Sequence, residues 1–141
     1  MKLVEQNQIN NYILRKLKKK DNPKTNTALA SFPGSGSTWM RYLLQQSTGI
    51  WTGSIYNDEM LKKTGFAAEH VTNSSVLFIK THKYEINDMK RFDRVVLLVR
   101  NPADAILSEF NRQSAGHTGH ATLDEFTGKN KKSLYVKFED C

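Results

Sequence analysis

Ala28-Leu29-Ala30-Ser31-Phe32-Pro33-Gly34-Ser35-Gly36-Ser37-Thr38-Trp39 runs from an apolar segment into a Pro/Gly/Ser loop and out again into a helical pattern. The spacing predicts a strand over 27–32, a loop over 33–36 and a helix over 37–48 closed by Gly49. Small loop residues let backbone N–H groups approach an anion closely. Ser and Thr add hydroxyl donors, and the first helical turn adds the positive end of its dipole. The loop has neither the Gly-Lys ending of a triphosphatase loop nor the third glycine of a dinucleotide fingerprint. By itself it reads first as an ordinary strand-to-helix turn, with an anion cradle as the alternative that the other motifs must support.

Two further apolar runs end in polar chemistry. Arg94-Val95-Val96-Leu97-Leu98-Val99-Arg100 is too continuous for a half-exposed strand and predicts a buried parallel strand over 94–100. It leads into Asn101-Pro102, an N-cap followed by proline at the first helical position, so a helix is predicted over 102–113. Arg100 then stands at the carboxyl end of a strand, where ligands of open α/β sheets bind, with Ser108 two turns into the helix. Val76-Leu77-Phe78-Ile79-Lys80-Thr81-His82-Lys83 likewise ends in a cationic, titratable cluster, after a strand predicted over 76–80. Helices near 56–64 and 87–91, a Gly/His-rich loop over 114–121 and a last strand over 133–138 complete a parallel α/β reading with right-handed crossovers.

The chain has 141 residues, a net charge of +7 and one cysteine, Cys141, which excludes an internal disulfide framework. Residues 1–24 carry +5 of that charge and form a basic leader ahead of the domain at 25–141. Their apolar stretches fall short of the ~20 residues that cross a bilayer, and the charges follow rather than precede them. The leader reads as a solvated helix or tail, with a membrane-surface or nucleic-acid contact as the less favoured alternative. His117 and His120 share an i, i+3 spacing but have no completing ligands nearby, so no metal is expected. Asn73-Ser74-Ser75 is an N-glycosylation sequon, meaningful in the secretory pathway.

The loop, Lys80-Thr81-His82 and Arg100-Asn101-Pro102 with Ser108, in that order, resemble the PAPS-dependent sulfotransferase family. The chain looks closest to its WSC-domain-containing, sulfotransferase-like branch. That likeness rests on 27–119 and 134–140 and includes Ser47-Thr48-Gly49, Thr52-Gly53-Ser54, Gly65-Phe66 and Glu109-Phe110-Asn111-Arg112. The cysteine-rich WSC module itself is not expected here. The resemblance implies a P-loop-like three-layer fold around a central parallel sheet, and transfer of a sulfonate from PAPS to a hydroxyl acceptor of the glycan class. Ser35, Gly36, Ser37, Thr38 and Trp39 match the loop that holds the 5′-phosphosulfate, with Trp39 beside the adenine. Arg100 and Ser108 match the pair that binds the 3′-phosphate, His82 the general base, and Lys80 a cation on the transferring sulfonate. No metal and no nucleic acid are implied. The branch is associated with Golgi membranes, while this sequence as written reads as soluble.

Two departures accompany the match. Many family members have Pro-Lys-Ser-Gly where this chain has Pro33-Gly34-Ser35-Gly36, so the lysine at the leaving phosphate is replaced by Gly34. Lys80, Lys83 and Arg41 are the candidate substitutes. Thr122 to Ser133 is also a short link to the terminal strand, and the sequence ends before the family's basic lid. The expectation is an incomplete domain, with a non-catalytic PAP/PAPS-binding or structural remnant as the alternative function.

Overall fold

The computed structural model describes residues 17–21, 23–116 and 119–127. Its elements are β1 (Thr27–Ser31), α1 (Ser37–Thr48), β2 (Gly53–Ser54), α2 (Glu59–Lys63), β3 (Ile79–Thr81), α3 (Ile86–Met89), β4 (Arg94–Leu98), α4 (Pro102–Ala115) and α5 (Leu123–Phe126). The strands form one parallel sheet in the order β2-β3-β1-β4. This is the α/β class expected from the sequence. Parallel neighbours need crossovers, which the intervening segments supply.

β1 lies between β3 and β4, and Ala28 and Leu29 are fully buried there. Its register sets the site: Leu29 stands opposite Lys80, and Ala30 opposite Thr81. Ala68, Val76 and Ile79 form a buried cluster with Trp51, Ile55, Val71 and Phe92 packed against it.

Helix ends follow capping chemistry. Asn101 Oδ1 accepts from the Ala103 N–H at 3.0 Å, and Pro102 occupies the first turn, which is why the start of α4 was legible. Gly49 donates its N–H to Gln45 O and closes α1 at the predicted residue. Asp58 caps Met60 and Leu61, so α2 starts at 59 rather than 56. α5 was not anticipated; Thr122 and Glu125 form a reciprocal capping box that starts it inside the expected loop.

The sheet departs from expectation in three places. β3 begins at Ile79 rather than Val76, because 76–78 make turn bonds and bonds to the segment before β2, with Val76 N–H to Asn73 O and Leu77 N–H to Trp51 O. β2 was not read as a strand at all; it is two residues long, too short for a periodic signal. β4 was expected to be buried, yet Val95, Val96 and Leu97 are 49%, 44% and 68% exposed. Among the described residues β4 is the sheet's edge, paired on one side only.

The end of the leader, expected as a solvated helix or tail, is an extended segment bound to the domain: Lys18 bridges Ile50, Lys20 N–H bonds Ser75 O, and Leu17 is buried. The strand at 133–138, residues 1–16, His117, Lys129 to Lys132 and Cys141 lie outside the described residues. No helix among the described residues is long and apolar enough to cross a membrane.

The deepest polar feature is an ion pair. Arg41 Nη2 lies 2.6 Å from Glu69 Oε2, with both side chains fully buried. Arg41 also donates to Thr52 Oγ1 and Thr52 O, and its guanidinium lies 4.5 Å from the Phe66 ring centroid. Gln45 Oε1 accepts from Thr52 N–H and Oγ1–H, and Gln45 Nε2 donates to Gly65 O. One helix face thus binds the strand entering β2 and the turn at 65–69. Removing one member strands the other in a dry site. Glu69→Leu is expected to cost about 3–5 kcal/mol in urea unfolding, and the double variant Arg41→Met/Glu69→Leu to recover at least half of that loss.

Candidate functional site

The loop after β1 presents the start of α1 without a side-chain cap. Gly36 is the N-cap residue at φ 91°, a left-handed conformation natural to glycine, and no acidic residue occupies the first turn. Met40 N–H takes the Gly36 carbonyl, which leaves the amides of Ser37, Thr38 and Trp39 outside the helix's own ladder. Ser35 and Ser37 are buried and Thr38 half-buried, whereas Trp39 is 69% exposed. The arrangement is chemically suited to an anion.

Arg100 joins this loop directly, its Nη1 donating to Gly34 O at 2.9 Å. Ser35 and Arg100 line a cleft of about 360 Å³ with Phe32, Leu97, Pro102 and Ile106. Ser108 lies half-buried on α4, on the flank next to the face that meets the loop.

Gly34 explains why a lysine is absent from the loop. Its φ is +78°, and a Cβ there would overlap the Ala105 carbonyl oxygen and lie 2.9 Å from the Glu109 amide nitrogen. Helix α4 fills the space a side chain needs. Two of the three candidate substitutes are also engaged elsewhere: Arg41 is sealed against Glu69, and Lys83 pairs with Asp88 at 3.5 Å.

Lys80 remains, and the structure sets it beside His82. Burial, then the charge of Arg41, pushes the Lys80 amine down to about 8. His82 Nδ1 lies 2.7 Å from Ser31 O and 3.3 Å from Ser31 Oγ. A carbonyl oxygen only accepts, so Nδ1 carries the proton of the neutral ring and Nε2 keeps the lone pair. Burial, reinforced by the Lys80 charge, pushes His82 down to about 4. At neutral pH this imidazole is therefore uncharged, with Nε2 as its basic atom.

Three contributions escaped the sequence reading. Tyr56 Oη accepts the His82 N–H at 2.7 Å, and nothing in a lone tyrosine after a two-residue strand signals that. Ser31 reads as the last strand residue, although its carbonyl sets the His82 tautomer. Glu109, 2% exposed, accepts from Arg112 Nε at 2.7 Å and also bonds Arg112 Nη2 and Gln113. Burial alone would raise the Glu109 carboxyl, but the Arg112 hydrogen bond and charge, with Gln113, hold it below the usual carboxylate range. The Glu-x-x-Arg spacing was visible as an i, i+3 helix pair.

Fold and site together describe a parallel α/β domain with an uncapped Gly/Ser loop after β1 and a Lys-x-His pair at the end of β3. The chain is similar to proteins named WSCD family members. It is 60% identical over 109 residues to the member CG9164 of Drosophila melanogaster and to GA21586 of Drosophila pseudoobscura pseudoobscura, 77% of this chain and 34% of either relative. It is 57% identical over 120 residues to AAEL009094 of Aedes aegypti, 85% of this chain and 38% of that protein. The chain thus spans little more than a third of the length of these relatives. Their designation is that of the WSC-domain-containing, sulfotransferase-like branch that the motifs resemble. No family model matches the chain, and no solved structure does.

The close approach at Gly34 predicts that Gly34→Ala destabilises the fold by at least ~2 kcal/mol, from positive φ and overpacking together, measured by urea unfolding. The buried imidazole predicts acid sensitivity. His82 holds its proton less tightly folded, at about 4, than at its ordinary 6.5, so its stability contribution is full above 6.5 and is lost as pH falls toward 4. His82→Leu should flatten the melting temperature across that window.

Proposed function

We propose that this chain is a sulfotransferase-like domain behind a basic leader, and that it transfers a sulfonate from PAPS to a hydroxyl acceptor of the glycan class. The observation that carries the reading is the His82 tautomer: a lone pair on Nε2, fixed by Ser31 O at the carboxyl end of the sheet and adjoining Lys80. Sequence similarity to WSCD family members supports the same class.

In this reading His82 Nε2 takes the acceptor's hydroxyl proton, and the acceptor oxygen bonds to sulfur. The bond from sulfur to the 5′-phosphate oxygen breaks, and 3′-phosphoadenosine 5′-phosphate departs. The amides of Ser37, Thr38 and Trp39 and the hydroxyls of Ser35, Ser37 and Thr38 would hold the 5′ end. Arg100 and Ser108 would hold the 3′-phosphate, the guanidinium as a fork and the hydroxyl as an added donor. With Gly34 closed to a lysine, Lys80 supplies the charge on the sulfonate, and preorganised charge of this kind carries much of such catalysis.

The fit of the donor is favourable at the loop, where the start of α1 is uncapped and free of acidic residues. The closed Gly34 position favours a second reading, a PAP/PAPS-binding domain without turnover. Calorimetric titration with 3′-phosphoadenosine 5′-phosphate against AMP, followed by a transfer assay with PAPS, separates the two. Selective binding with transfer supports the enzyme, selective binding without transfer the second reading, and no selectivity sinks both.

His82→Ala is expected to lower transfer about 10²- to 10⁴-fold while leaving nucleotide affinity within about twofold. Equal loss of both would make His82 a binding or structural residue. Arg100→Ala should abolish the preference for a 3′-phosphate in the same titration. The rate profile kcat/KM should be flat between an acid limb near the His82 value of about 4 and an alkaline limb near the Lys80 value of about 8. Lys80→Arg should remove the alkaline limb, since a guanidinium stays charged.

A further inference from the structure

Tyr56 meets both residues of the Lys-x-His pair, one with each end of its side chain. Its Oη accepts the His82 N–H at 2.7 Å, and its ring centroid lies 5.4 Å from that of His82. On its π face the Lys80 Nζ stands 5.6 Å from the ring centroid, within cation–π range.

The backbone around Tyr56 is shaped to deliver it there. Ile55 N–H bonds Lys80 O at 3.2 Å, which carries the β2–β3 pairing one residue past the strand. Ser54 Oγ then accepts the Tyr56 N–H at 3.1 Å and turns the chain. Asn57 follows at φ 55°, the only non-glycine residue with positive φ among those described, and Asp58 starts α2 immediately afterwards. A left-handed non-glycine residue is a local cost that persists where surrounding contacts fix it. Here those contacts hold a half-buried aromatic ring against two charged or titratable groups.

We propose that Tyr56 is a positioning residue for the site: its hydroxyl fixes the His82 backbone, and its ring fixes both the His82 imidazole plane and the Lys80 ammonium. The proposal rests on the sulfotransferase reading for its kinetic consequence only. Neither contact brings Tyr56 to a reacting atom. Its effect passes through the direction of His82 Nε2 and the place of the Lys80 charge, where a misplacement of about 1 Å costs about 10²-fold in rate.

The test compares the parent chain with Tyr56→Phe and Tyr56→Leu. Phenylalanine removes the hydroxyl and keeps the ring; leucine removes both. Nitrogen-15 NMR of the His82 ring reads the tautomer without any need for turnover, and calorimetry with 3′-phosphoadenosine 5′-phosphate reads the donor site. The expected result for Tyr56→Phe is faster exchange of the His82 amide, an unchanged tautomer and about a tenfold loss of kcat, as for one lost hydrogen bond. For Tyr56→Leu it is a mixture of His82 tautomers and a loss of about 10²-fold in kcat, with nucleotide affinity within about twofold in both variants. A parent tautomer retained in Tyr56→Leu overturns the proposal. So does a collapse of melting temperature and nucleotide affinity together in the conservative Tyr56→Phe, which would make Tyr56 a structural residue. A parent chain that transfers no sulfonate sinks the functional reading alone, and the tautomer and exchange measurements then decide the role of Tyr56.

Discussion

The buried pairing of Arg41 with Glu69 is the constraint on which the rest of the molecule hangs. Desolvating two charges is costly, and the Coulomb gain offsets that cost only when geometry and extra hydrogen bonds are good. Here the guanidinium is further bonded to Thr52 and stacked near Phe66, and Gln45 repeats the link one turn along α1. Arg41 Nη1 and the Glu69 carboxylate, however, have no further hydrogen bond among the described residues, so the pair acts more as a positional lock than as a large source of stability. The helix that begins at the anion loop is therefore bolted to the segment that enters β2. Tyr56 follows two residues beyond β2, and β2 pairs with the strand that carries Lys80. The loop, His82 and Lys80 share one frame.

The second organising fact is steric. Helix α4 approaches the loop so closely that position 34 has room only for hydrogen, and Arg100 secures the same loop by taking the Gly34 carbonyl. Close approach of a helix and the placement of a loop lysine exclude one another at this point. The chain has the first. On the neighbouring strand, burial and the Arg41 charge make the charge of Lys80 conditional on pH.

What was legible in the sequence followed from strong local signals. The Asn101-Pro102 start, the Gly49 stop and the apolar runs of β1 and β4 were readable because capping and hydrophobic periodicity act within a few residues. Lys80, His82 and Arg100 were readable as polar residues ending apolar strands. Less local features were not. β2 is two residues long and exists because β3 is beside it. The tautomer of His82 depends on a carbonyl 51 positions away in sequence, and Tyr56 reaches His82 across 26. Arg41, a candidate cation on sequence grounds, turned out to be a core residue because its partner Glu69 lies in a turn with no periodic signature. The exposure of β4 was missed for a related reason: an apolar run reports what a strand is able to bury, and only the sheet order reports what covers it.

That edge has a consequence for the behaviour of the chain in solution. Among the described residues β4 offers a row of backbone donors and acceptors on its outer side, flanked by Val95, Val96 and Leu97, with no proline and no charge between Arg94 and Arg100. Such an edge is a template for another strand, and proteins that keep one bare usually blunt it with charge or a bulge. Where that side stays unpaired, salt, which screens the repulsion between copies of a chain of net charge +7, favours contact between these edges.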